Sequence, residues 1–204
     1  MQGGLRGNGE TMHGQGEGGR VVRAPFAPDE ELLLGGAGLR QRRGRVEEPV
    51  ILFEHHEVKW ASSVGTLRQN EAYKYKRTQV LGCGEHPYAQ HIDGACCEAA
   101  LAKLRGAEWV GVVDDLRILR GDVGHLQVRG TKWLTGGLML HDTDPDDAPF
   151  VLVVMLQPFY WRYRLVGWAY GREGKEARWW NTVKLPRPAY LVPQEFLCPM
   201  ATLP

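Results

Sequence analysis

The chain has 204 residues, 43% hydrophobic and 24% charged, with 25 basic and 24 acidic side chains for a net charge of +1. These proportions suit a globular protein that buries its own core, and they exclude a collagen, a coiled coil or a wholly disordered polymer. The balanced charge excludes a global basic field as the driver of nucleic-acid binding. No apolar run reaches the roughly 18 residues of a membrane span. Residues 1–19 are Gly-rich and polar, without the apolar region of a signal peptide, so a soluble, cytoplasmic protein is expected.

Residues 1–48 differ in composition from the rest. They hold twelve of the 26 glycines, seven arginines and one aromatic, Phe26. Such a segment buries too little apolar surface to offset its ordering entropy. It is expected to be a disordered extension, with an arginine arm for nucleic acid as the alternative reading. A single domain is expected over residues 49–204. Val50-Ile-Leu-Phe53 reads as a strand. The following stretch forms a helix if Val64 and Leu67 share the face of Trp60. A polar, basic stretch spans 68–77, and Gly82-Cys-Gly-Glu-His-Pro87 reads as a loop.

The clearest helix follows. Asp93 is a good N-cap, Ala95, Ala99, Leu101, Ala102 and Leu104 keep helical spacing, and Gly106 suits the position just past the end. Residues 109–113 read as a short strand. Leu126 and Val128 alternate with Gln127 and Arg129 in a half-exposed strand, with Leu138-Met-Leu140 as its expected partner. Residues 141–147 form a turn. The continuous apolar run 150–156 fits a central strand buried on both faces, and 163–170 is another strand. A short helix or loop covers 171–180, and the tail 185–204, with five prolines, is expected to run irregularly over the surface. The order of elements predicts an α+β fold: a helix, a mostly antiparallel central sheet and a short second helix.

Four residues carry the leading chemistry. Glu98 lies on the helix and Asp122 at a strand entrance, while Gln127 and Arg129 share one face of that strand because Val128 points the other way. Carboxylates and an amide oxygen are the ligands a hard ion such as Mg²⁺ or Mn²⁺ prefers. An adjacent arginine stabilises a phosphate or its transition state. A metal held by Glu98, Asp122 and Gln127, with Arg129 on the phosphate, would activate water for phosphodiester hydrolysis. Structural readings stand beside this: Asp122 as a turn residue, and Glu98, Gln127 and Arg129 as a polar surface.

Cys83, His86, His91 and Cys96 form a second set, an alternative zinc site of irregular spacing. The four cysteines, with Cys96 and Cys97 adjacent, make a poor disulfide framework and are read as reduced thiols. Arginines and aromatics interleave late in the chain. Lys132, Arg162, Arg164, Arg172 and Arg178 are candidates for a DNA-binding face, with the neighbouring aromatics divided between core packing and base stacking.

At these residues the chain resembles the PD-(D/E)xK nuclease-like superfamily. The order matches: Gly94-Ala-Cys-Cys-Glu98 in a first helix, then Asp122, then Gln127-Val-Arg129. Residues 91–194 also look like a group of uncharacterised phage and environmental prokaryotic proteins. The elements they share are Gly121-Asp-Val-Gly124, Val128-Arg129, Asp144-Pro-Asp-Asp147 and Val192-Pro-Gln194. The resemblance implies a restriction-endonuclease-like αβββαβ core and metal-dependent DNA cleavage in a bacterial or phage-infected cell. The superfamily carries Glu or Asp where Gln127 stands and Lys where Arg129 stands. A catalytically degenerate nucleic-acid-binding or protein-interaction module is therefore the alternative reading.

Overall fold

A computed structural model of the protein describes residues 48–75, 87–113, 121–156, 161–182 and 187–204. The extension expected over 1–48 lies outside them except for Glu48, which is already tied to the fold by an ion pair with Arg164 at 3.2 Å. The described chain is α+β. Strand β1 (Val50–Leu52) leads into α1 (His55–Lys74), and α2 (Pro87–Arg105) follows. Strands β2 (Gln127–Thr131), β3 (Leu138–Leu140), β4 (Pro149–Met155) and β5 (Arg162–Tyr170) come next. The chain closes with a short α3 (Gly171–Gly174), β6 (Trp180–Asn181) and β7 (Ala189–Val192), followed by short 3-10 turns.

The described strands form two sheets. One runs β1-β5-β4-β2 and the other β3-β7-β6. In the first, β2 pairs parallel to β4, whereas β4–β5 and β1–β5 are antiparallel. β4 is buried along its whole length, as its apolar sequence requires. Val151, Val153 and Met155 enter the core shared with α1 and α2. Phe150, Leu152 and Val154 enter a second core with Leu138, Leu140 and Val192 of the second sheet. The molecule is thus layered as helices, sheet, sheet, with β4 at the centre. The chain's end completes this arrangement. Cys198 exchanges backbone hydrogen bonds with Trp168 of β5, continuing the edge where β1 stops.

Several expectations change. The α1 helix forms and runs through the polar stretch to Lys74, but its buried stripe is Ala61, Val64, Gly65 and Ala72, with Trp60 and Leu67 outside. α2 begins at Pro87, where a missing N–H costs nothing, so Asp93 lies inside the helix and pairs with Lys132 at 2.6 Å instead of capping. Gly106 does terminate the helix, at φ 59°, with Ala107 N donating to Ala102 O. Residues 109–113 form no strand. β3 pairs with β7, not β2, and the Pro-rich tail supplies β7 itself. Among the described residues the implied αβββαβ core is not confirmed. β3 leaves the first sheet between β2 and β4, and α3, the helix after β5, is a single turn. No helix among the described residues is long and apolar enough to cross a membrane.

Candidate functional site

The polar centre of the molecule lies where α1 and α2 meet. A Cβ on Gly65 would sit 2.4 Å from the Ile92 Cα, so the two helices touch backbone to backbone there. One turn further along α1, Arg68 reaches across to Glu98 of α2. Its Nη1 and Nη2 donate to the two carboxylate oxygens at 2.6 and 2.8 Å, and its Nε donates to the Val112 carbonyl at 2.8 Å. Trp109 Nε1 donates to Glu98 Oε2 at 3.3 Å. Burial pushes the Glu98 carboxyl above its ordinary value, Arg68 draws it back, and the negative charge of Asp122 raises it further. Asp122 therefore stands within electrostatic reach of both Glu98 and Arg68. Glu98 gives both of its carboxylate oxygens to that guanidinium, while Asp122 acts on the pair only through its charge.

Gln127 and Arg129 do not join them. In β2 the residues facing α2 are Val128, packed in the helix-side core, and Gly130, whose Cβ would meet Cys97 Sγ at 2.7 Å. Strand alternation turns Gln127 and Arg129 to the opposite side. There Arg129 lies over the Phe150 ring at 4.9 Å and pairs with Asp144 at 3.0 Å. Asp122 Oδ2 accepts the backbone N–H of Val128 at 2.7 Å, the role of a turn residue that starts a strand. The Mg²⁺ or Mn²⁺ site expected from Glu98, Asp122 and Gln127 does not fit this arrangement. Glu98 gives both oxygens to Arg68, and Gln127 is on the other face. Among the described residues no group of three or more His, Cys, Asp or Glu is placed to hold a metal ion.

The expected nucleic-acid residues are scattered and mostly occupied. Lys132 is held by Asp93, Arg164 by Glu48 and Arg178 by Glu176. Arg172 lies over the Tyr170 ring at 4.7 Å. Arg162 is exposed at the start of β5 and Arg172 just past its end, so the nine-residue strand separates them, by about 30 Å.

For the zinc alternative, Cys83 and His86 lie outside the described residues. His91 and Cys96, five residues apart on α2, point to different neighbours. Burial and the nearby Arg68 charge push the His91 imidazole below its ordinary value. Cys96 is fully buried and hydrogen-bonded to Tyr163 and Ser62, and burial pushes its thiol up from 9.0 to about 11. Iodoacetamide at neutral to mildly alkaline pH is accordingly expected to leave Cys96 and Cys97 unmodified in the folded protein and to label the more accessible Cys198, as read by peptide mass spectrometry. Because the Cys96 thiol is raised on folding, its contribution to stability is full below pH 9.0 and is lost as the pH rises through about 11. Alkylation of native Cys96 as fast as of Cys198 would contradict this environment.

Sequence reasoning missed Arg68 and Trp109, whose partner Glu98 is distant in sequence, and it missed the task of Gln194. This side chain donates to the carbonyls of Leu134 and Gly136 at 2.9 and 2.8 Å, and Arg164 Nη2 adds a bond to Leu134 O at 2.7 Å. The turn after β2 is thereby fixed from outside, with Trp133 78% exposed on it. The Gly121–Gly124 and Asp144–Asp147 elements likewise make structural contacts. Gly124 takes φ 63° in the turn bridging Val123 and Leu126. Asp144 accepts the His141 N–H and Arg129, while Lys175 binds Asp146 and the backbone of the 142–144 turn. No family model, curated protein or solved structure matches the chain.

Proposed function

We propose that the chain is a non-catalytic protein-interaction module of the α+β class. The observation that carries this reading is the buried, bidentate Arg68–Glu98 pair, in which the guanidinium takes both carboxylate oxygens. A built-in guanidinium supplies the positive charge that a hydrolytic site would take from a metal, and it cannot polarise water as a divalent ion does. Two further features favour a protein over DNA as the partner. Lys132, Arg164 and Arg178 are matched to carboxylates of the same chain. By contrast, Trp133 and Leu134 stand 78% and 59% exposed on a turn whose backbone is clamped by Gln194 and Arg164. A rigid, exposed Trp beside a Leu is suited to filling an apolar pocket, because little conformational freedom is lost on docking.

The test is incubation of the purified chain with single-stranded, duplex and branched DNA in Mg²⁺, Mn²⁺ or EDTA, alongside melting curves with each ion. The expected result is no cleavage, no metal-dependent rise in Tm and no saturable DNA binding. Metal-dependent cleavage that disappears in Asp122→Asn would instead establish a nuclease. Salt-sensitive DNA binding without cleavage would retain the non-catalytic reading and replace the protein partner with nucleic acid.

A further inference from the structure

The outermost strand of a sheet presents backbone N–H and C=O groups that can pair with any extended chain. In the four-stranded sheet the outer strands are β1 and β2. Flanking β1, Pro49 O and Phe53 N bond to Leu165 N and Trp161 O on the β5 side. Alternation therefore turns the backbone groups of Val50 and Leu52 away from the sheet. Lys103 of α2 donates to that outward Leu52 carbonyl at 2.8 Å, and Glu57 of α1 holds the same ammonium at 2.7 Å. In β2 both backbone groups of Val128 are taken by side chains. Its N–H goes to Asp122 Oδ2 at 2.7 Å, and its carbonyl accepts from Arg129 Nη1 at 3.2 Å. Asp144 holds Arg129 in place from the other side. Gly130, two residues on, turns its backbone the same way and is exposed. The second sheet ends in β3 and β6, strands of three and two residues, and very short edges are poor templates for a partner.

We infer that Lys103, Asp122 and Arg129 guard the two edges of this sheet, so that no further strand, from a second copy or from an extended peptide, adds to it. The chemistry of each guard opposes pairing. An incoming carbonyl that seeks the Val128 N–H meets the Asp122 carboxylate, and an incoming N–H that seeks the Val128 or Leu52 carbonyl meets a cation. Displacing any of the three gives up a charge-assisted hydrogen bond in exchange for a neutral one. The same device stands on two strands that are not neighbours and is supplied from three different elements. The remaining outward stretch of β5, beyond β1, is covered by the backbone of Cys198. The inference rests on the strand edges alone and holds whichever partner the chain takes. Its consequence for recognition is that a partner is met by side chains and not by main-chain pairing with this sheet.

Sedimentation of the full chain over a wide concentration range, with hydrogen exchange read by peptide mass spectrometry, tests the inference. Wild type is expected to form no oligomer protected over residues 127–131, and neither is Asp122→Asn, whose amide oxygen keeps the bond to Val128. Asp122→Ala/Arg129→Met should keep the wild-type circular dichroism and self-associate about tenfold more tightly, because two outward backbone groups become available. Exchange in that oligomer should slow over 127–131. Lys103→Met should act in the same sense at the other edge, over 50–53. If the double variant does not fold, Arg129→Met and Lys103→Met, which each free a single carbonyl, decide the matter by the same readout. Folded variants no more associated than wild type would overturn the proposal. So would oligomers whose slowed exchange lies away from the freed strand, or a wild type that already pairs through 127–131.

Discussion

Arg68→Ala is expected to destabilise the protein by about 3–5 kcal/mol, because it leaves the Glu98 carboxylate buried without its cation. Glu98 is 6% exposed, and Arg68 satisfies both of its oxygens. For a domain of this size the loss corresponds to a fall in Tm of roughly 10–15 °C. It should be largest at neutral pH. Without Arg68 the Glu98 carboxyl rises further above its unfolded value, so the variant recovers stability as the pH falls and Glu98 takes up a proton. The double variant Arg68→Met/Glu98→Leu removes both charges together and should return to within about 1–2 kcal/mol of wild type. Thermal melts of the two variants across pH measure both effects. A loss below about 1 kcal/mol for Arg68→Ala, independent of pH, would mean that the pair is wetter than its geometry indicates.

Gly65→Ala is the second large effect, and two principles predict opposite signs for it. By helix propensity alone, replacing an interior glycine with alanine stabilises by about 1 kcal/mol. At Gly65, however, the added methyl would lie 2.4–2.7 Å from the backbone of His91 and Ile92. Backbone cannot swing aside as a flexible side chain can, so α1 and α2 would have to separate along their contact. A net loss of about 2–3 kcal/mol is expected. Denaturant unfolding measures it through the midpoint at constant slope. Stabilisation would show that the helices do not approach so closely in solution.

The small residues of α1 also explain why its orientation was not legible in the sequence. Trp60 and Leu67 carry most of the helix's apolar signal, and a hydrophobicity pattern points inward wherever the large residues are. The helix instead buries the small Ala61, Gly65 and Ala72 together with Val64 and Gln69, because at Gly65 the approach to α2 leaves no room for a side chain. β4 was legible since a strand covered on both faces must be apolar throughout, and the alternation of β2 was legible for the complementary reason. What the alternation could not reveal was which side α2 covers. Glu98 and Gln127 were therefore expected on one side of the sheet, and they lie on opposite sides. Arg68 left no local signal at all, being one cation in a polar stretch whose partner is 30 residues away. The prolines of the tail suggested irregular chain, yet four residues free of proline between Pro188 and Pro193 sufficed for β7.

The pairing of β1 with β5 sets a timing problem for synthesis. Val50 meets Arg164 and Leu52 meets Arg162, so the first strand cannot be placed until more than a hundred further residues have left the ribosome. At roughly 5–20 residues per second the wait is on the order of 5–20 s. Throughout that interval Ile51 and Phe53 lack Tyr163 and Leu165, their neighbours in the helix-side core, which arrive on the late strand. Nascent chains that stall before β5 should therefore be strong clients for chaperones that bind exposed apolar segments, whereas chains completed through the Cys198 contact should release them.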